Sequence, residues 1–208
     1  MRWRSLPEVI VVQGIEAGGH VKSRISLSTI VPAVVEAVPT VPVIAAGGIA
    51  TGRGVVSALS LGAQGVSMGT RFLCSTEAAV TLAYKERVVS STAEDTVYTT
   101  LFDVGWPDAP HRVLRNTAFA EWERAGRPAN GQRPGEGTIV GTVPVGGTIM
   151  EVPKYAAMIP LTDFKGDMES VALYAGESCG LVHDIKPAAQ IVQDLVREAE
   201  AAIAIMQH

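Results

Sequence analysis

The chain has 208 residues, 47% hydrophobic and only 18% charged, with a net charge of −4. A mean hydropathy of +0.24 and a pI near 5.6 describe an apolar, mildly acidic domain large enough for a real core. No basic stripe marks a nucleic-acid partner, and no apolar run reaches the ~18 residues of a membrane span without a breaker or a charge.

The first eight residues, M-R-W-R-S-L-P-E, are positive but lack a clean apolar stretch and a cleavage site, so no signal peptide is expected. Val9 to Gln13 reads as a buried parallel strand. It empties into a loop containing Gly14, Gly18 and Gly19 and ends on His20. Val21 to Ser28 is expected as an ordered loop. Ser28 or Thr29 then caps a helix with Pro32 in its first turn, and Ile30, Val31, Val34, Val35 and Val38 form its apolar face. Pro39 and Pro42 lead into a second strand, Val43 to Ala46, followed by Gly47-Gly48. A helix from Arg53 to Leu61 is stopped by Gly62. The third strand is Gly65 to Met68, followed by Gly69-Thr70. Ser75 or Thr76 with Glu77 is expected to open a helix through Val89.

Residues 9 to 89 therefore read as three βα units of a parallel α/β fold. After them the pattern changes. A strand is expected at Thr96 to Phe102, a Pro/Gly turn region at D-V-G-W-P-D-A-P, and a surface helix from His111 to Ala125. Gly126 to Gly147, rich in glycine and proline, reads as an irregular surface segment. A second glycine-punctuated loop spans Tyr174 to Val182. Lys186-Pro187 opens an amphipathic helix with Ala188, Ile191, Val192, Leu195, Val196, Ala199, Ala202 and Ile203 on its apolar face. Three regions are expected: 1–89 with the βα units, 90–173 as an irregular, α-rich insertion, and 174–208 with the glycine loop and the closing helix.

Glycine lets backbone N–H groups approach an anion, and a following helix N-terminus adds a favourable dipole. Ordinary tight βα turns use glycine as well. Gly47-Gly48 and Gly69-Thr70, in adjacent units and with a hydroxyl at the end of one, favour phosphate binding. Gln13 ends its strand, where its amide can turn to a ligand. His20 lies beyond a strand end and a glycine turn, where a histidine can do acid–base chemistry. Glu16 could equally accept from backbone amides. His183 is a weaker candidate, and His111 and His208 are expected to be inert. Cys74 and Cys179 read as buried free thiols of a reducing cytosol, so a cytoplasmic location is expected. No Cys/His spacing fits a metal site.

V-Q-G-I-E-A-G-G-H at 12–20, P-V-I-A-A-G-G-I-A-T-G-R-G at 42–54 and G-A-Q-G-V-S-M-G-T-R-F at 62–72 together resemble the nitronate monooxygenase (2-nitropropane dioxygenase) family. W-P-D-A-P-H-R-V-L-R-N at 106–116 and A-G-E-S-C-G-L-V at 175–182 extend the resemblance over nearly the whole chain. It implies a TIM-barrel flavoprotein that binds FMN, with cofactor contacts at Gln13, Gly18, Gly47, Gly48, Ser67, Met68, Gly69 and Thr70. It implies His20 as the catalytic residue facing a nitronate or nitroalkane, with O2 as co-substrate and a carbonyl and nitrite as products. An FMN-dependent enoyl-acyl-carrier-protein reductase shares the E-A-G-G-H loop and is the runner-up.

The chain departs from the family at Glu177, where Gln is common, and at Lys22-Ser23. The family also places several βα units ahead of the histidine motif. The chain is thus expected to correspond to the last three or so units of a partial (β/α)8 barrel. Strand one would have an exposed edge, and the partner would be a homo-oligomer or a chain supplying the missing half. A non-catalytic fragment is the third reading.

Overall fold

The computed structural model describes residues 7 to 207. Residues 1–6 and His208 lie outside it, and so do the expectations that rest on them.

Three sheets organise the chain. The first is parallel, in the order β1 (Ile10–Gln13), β3 (Val43–Ala46), β4 (Gly65–Ser67). Helices α1 (Leu27–Ala37) and α2 (Gly52–Ser60) connect these strands. Val12, Val43 and Ala45 pack with Leu27, Val31 and Ala58 in one apolar cluster, so the helices cover one face. Val11 and Ile44 are in register outside that cluster, and Val11 is 59% exposed. β1 has a single partner strand among the described residues. It is therefore a half-covered edge strand, not the buried strand its apolar run suggests.

The second sheet is antiparallel, in the order β2 (Gly19–His20), β6 (His111–Leu114), β5 (Thr96–Thr99). The third is a hairpin, β7 (Ile139–Val145) and β8 (Thr148–Pro153), with the short β9 (Lys165–Gly166) on the other side of β7. The remaining helices are α3 (Thr70–Leu73), α4 (Leu82–Val89), α5 (Thr117–Arg124) and α6 (Ala188–Met206). The backbone of α6 meets α2 closely at Gly52, where a Cβ would lie 2.5 Å from the Leu195 carbonyl oxygen. None of the described helices is long and apolar enough to cross a membrane.

Several expected elements shift, each for a local reason. α1 begins at Leu27, so Pro32 sits inside the helix and not in its first turn. The Glu16 carboxylate accepts from the Leu27 N–H at 3.0 Å and starts the helix earlier than the serines would. No helix opens at Ser75. Thr81 is the N-cap of α4, its hydroxyl accepting from the Tyr84 N–H, while Glu77 turns away to accept from the Ala188 N–H at the start of α6.

The helix expected from His111 is in fact β6, with all four residues buried, followed by α5 capped by Asn116. Strand neighbours on both sides of β6 outweigh the helical pattern. Gly126 to Gly147 is not wholly irregular. Gly146 and Gly147, at φ of 57° and 82°, form the two-residue turn of the β7–β8 hairpin. Residues 90–173 are consequently β-rich rather than α-rich, with α5 as their one α-helix among the described residues.

Candidate active site

The parallel register aligns the carboxyl ends of the three strands. Gln13 pairs with Ala46, and Ala46 with Ser67. Three loops therefore leave the sheet at one level and enclose a cavity of about 310 Å³. Gln13, Gly18, Gly47, Gly48, Ser67, Met68, Gly69 and Thr70 all line it, together with Tyr174 and Ser178 from the second glycine loop. The size suits a small-molecule site.

Contact and backbone angle explain the glycines. Gly47 and Gly48 have φ of 101° and 71°, a region costly for any residue with a Cβ. A Cβ on Gly18 would lie 2.5 Å from the Ala175 carbonyl carbon, so loops 14–19 and 174–178 touch backbone to backbone. Gly69 has nothing within 4 Å of a notional Cβ, and the first N–H groups of α3 behind it have no intrahelical partner. Thr70 ties the cradle together: its hydroxyl oxygen accepts from the Gly176 N–H at 2.9 Å.

One source of positive potential is already used. The first N–H of α2 donates to the Glu198 carboxylate of α6 at 2.8 Å, and the Thr51 hydroxyl takes the Gly54 N–H. The N-terminus of α2 is thus neutralised from behind. An anion in the cavity would meet the Gly47–Gly48 and Met68–Thr70 backbone.

His20 does not line this cavity. It sits at the rim, where the Gln13 side-chain amide donates to its carbonyl at 3.3 Å. Pairing with β6 places its ring among three others. Trp106 stacks on it at 4.2 Å between centroids, Tyr174 lies at 5.4 Å and His111 at 5.7 Å. His20 Nε2 and the Tyr174 hydroxyl are both buried without a hydrogen-bond partner. Buried polar atoms are nearly always paired, so two orphans side by side at a cavity rim mark a place for a polar ligand.

Burial lowers the pKa of His20 below 6.5, so its imidazole is neutral at neutral pH. Burial pushes the Tyr174 phenol up to about 12, so it remains a donor. The sequence assigns no site role to Tyr174 or Trp106. His111, expected to be an inert surface residue, is fully buried against His20.

The other candidates separate cleanly. Glu16 caps α1. Glu177 turns from the cavity to Arg112 at 2.9 Å, and Arg112 also donates to the Ile15 carbonyl and the Thr96 hydroxyl. The charge at 177 is therefore paired and directed away from the ligand site. His183 is exposed near the Arg71–Asp184 ion pair, on the rim of another cavity. Cys74 and Cys179 are buried free thiols, pushed up to about 11 by burial.

Glycine-lined turns at the carboxyl ends of parallel strands place this chain among the α/β proteins that seat a small molecule at the sheet edge. Sequence shows the family: the chain belongs to the nitronate monooxygenase family of oxidoreductases, whose profile matches residues 2–198. It is 44% identical over 129 residues to a nitronate monooxygenase, npaC, of Metarhizium robertsii, an alignment covering 56% of this chain and 36% of that one. Among solved structures it resembles FabK of Thermotoga maritima, with a TM-score of 0.69 and 29% identity over 96% of this chain and 57% of that one. It likewise resembles a nitroalkane oxidase of Streptomyces ansochromogenes, with a TM-score of 0.68 and 25% identity over 96% of this chain and 53% of that one. The chain thus spans little more than half the length of these solved relatives, and about a third of the curated one.

Proposed function

We propose that this chain carries the cofactor and substrate residues of an FMN-dependent nitronate monooxygenase, which oxidises an alkyl nitronate with O2 to a carbonyl compound and nitrite. The observation that carries the reading is the convergence of eight residues from three βα turns on one cavity, beside two orphaned polar atoms. The residues present fit a flavin mononucleotide. Backbone at Gly47–Gly48 and Ser67–Thr70 would take the phosphate, with open space at Gly69 for close approach, Gly18 lining the site where the 174–178 loop closes against it, and Gln13 offering its amide to the ring system.

FMN, when bound, would supply the electron acceptor. The protein's own part is binding and proton control. His20 Nε2 and the Tyr174 hydroxyl would hold the two oxygens of the nitro group. Neutral His20 could also take the α-proton of a neutral nitroalkane. Small nitronates or nitroalkanes and O2 are then the ligands. A partial (β/α)8 barrel, completed by further βα units or a partner chain, is the architecture this reading implies.

Reconstitution with FMN tests it, through flavin absorbance of the washed protein and nitrite release from propyl-2-nitronate. His20→Ala should keep the flavin and lose about 100-fold or more in kcat/KM. Full activity in that variant removes His20 from the mechanism. The E-A-G-G-H loop also supports an enoyl-thioester reductase, and consumption of NADPH with an enoyl thioester, without nitrite, would select that reading. If no flavin binds, the non-catalytic reading holds.

A further inference from the structure

Trp106 is 57% exposed, yet its indole lies flat on the His20 imidazole, 4.2 Å away and inclined by 28°. An exposed indole held in one pose needs a constrained backbone, and the loop around it has one. Gly105 and Asp108 both sit at positive φ, 91° and 55°. The Trp106 N–H closes a turn onto the Asp103 carbonyl at 2.8 Å. Asp103 is fixed by Arg133 at 2.6 Å, below a largely buried guanidinium.

The two ends of this loop meet on one side chain. His111 Nε2 accepts from the Phe102 N–H at 3.2 Å, and His111 Nδ1 pairs with the Ala109 carbonyl at 2.9 Å. The first contact requires a bare Nε2, so the proton is on Nδ1 and the ring is neutral. A single fully buried imidazole therefore clasps residues 102 and 109 and sets the pose of Trp106 between them.

That pose has a consequence for whatever binds His20. A group hydrogen-bonded to the free Nε2 lies about 3 Å out, near the plane of the imidazole. Its substituents then extend under or beside the stacked indole. We propose that Trp106 is a specificity-determining residue, a wall against the carbon substituents of the substrate, and that His111 is the positioning residue that holds this wall in place. The inference rests on the nitronate reading of the same site.

The test compares small with bulky ligands in two ways. Nitronates of nitroethane and of phenylnitromethane give a ratio of kcat/KM. Propionate and phenylacetate, inert planar anions of matching size, give a ratio of dissociation constants. Trp106→Ala should shift both ratios toward the bulky member by about tenfold or more, the scale of discrimination by a pocket wall. Trp106→Phe should shift them less.

His111→Leu should act as Trp106→Ala does while the flavin absorbance is kept. His111→Gln still offers one donor and one acceptor, and should return the ratios toward wild type. If His111→Leu does not fold, the wall is read from Trp106→Ala and the clasp from His111→Phe, which fills the same space without either hydrogen bond and should shift the ratios as Trp106→Ala does, unchanged ratios overturning the clasp. Unchanged ratios in Trp106→Ala overturn the wall, and unchanged ratios in a folded His111→Leu overturn the clasp. A wild type that releases no nitrite from either nitronate sinks the functional reading instead, and the carboxylate ratio still judges the wall.

Discussion

The glycine edge of the parallel sheet and the ring cluster around His20 border one cavity but are made differently. The edge is backbone: glycines forced by φ or by contact, as at Gly47, Gly48 and Gly18. The cluster is side chain: His20, Trp106 with His111, and Tyr174 come from three separate stretches, packed ring against ring. A backbone cradle can grip a ligand through N–H groups that never titrate. A ring cluster can sense charge and shape. Retention of the cofactor should therefore fail with the first, and turnover or selectivity with the second.

The sharpest way to break this contrast is Gly18→Ala. Its methyl group would run into the Ala175 and Gly176 backbone. A loss of about 3 kcal/mol in denaturant unfolding is expected, together with loss of flavin. If Gly18→Ala binds flavin normally, the cradle is not backbone-limited.

Tyr174→Phe removes only the unpartnered hydroxyl. It should leave flavin binding intact, leave stability level or slightly raised, and lower kcat/KM on nitronates about tenfold. An equal loss of flavin would erase the distinction between the two regions.

A smaller difference is readable by pH. His20 and His111 both have pKa values lowered by burial from 6.5. In the unfolded chain they take up protons near 6.5, and in the folded chain only at lower pH. Stability should thus be level above about 6.5 and fall as pH drops toward the folded values. His111→Gln should flatten part of that slope in urea melts collected between pH 5 and 8.

The smallest effect belongs to Glu177→Gln. It weakens a partly exposed pair with Arg112 and touches neither region, so a change within about 1 kcal/mol and unaltered flavin affinity are expected. A marked gain in flavin affinity would mean that the carboxylate faces the cofactor after all.

The same contrast explains what could be read in the sequence. The strand–glycine–helix units were legible because each is local. A short apolar run, a glycine turn and a helical stripe lie within about twenty residues, and β3, α2 and β4 fall within a residue or so of expectation. The ring cluster was not. His111 lies 91 positions after His20 in a chain that gives no local hint of pairing, and only the β2–β6 register brings them together. Residues 111–125 carry a helix-like pattern, yet β5 and β2 claim the first four as a strand. The Gly146-Gly147 pair was a hairpin signal of the usual kind, hidden in a stretch crowded with other glycines.

The contact between Gly52 and Glu198 has a consequence in time as well as in space. The acceptor for the first N–H of α2 is encoded 146 residues downstream. At a synthesis rate of about 5–20 residues per second, α2 waits roughly 7–30 s on the ribosome before that carboxylate emerges. Throughout that interval the start of the helix beside the nascent cradle keeps its positive end bare. The cavity's rear support is made long after the cradle itself, so this end of α2 is completed only once Glu198 has been translated.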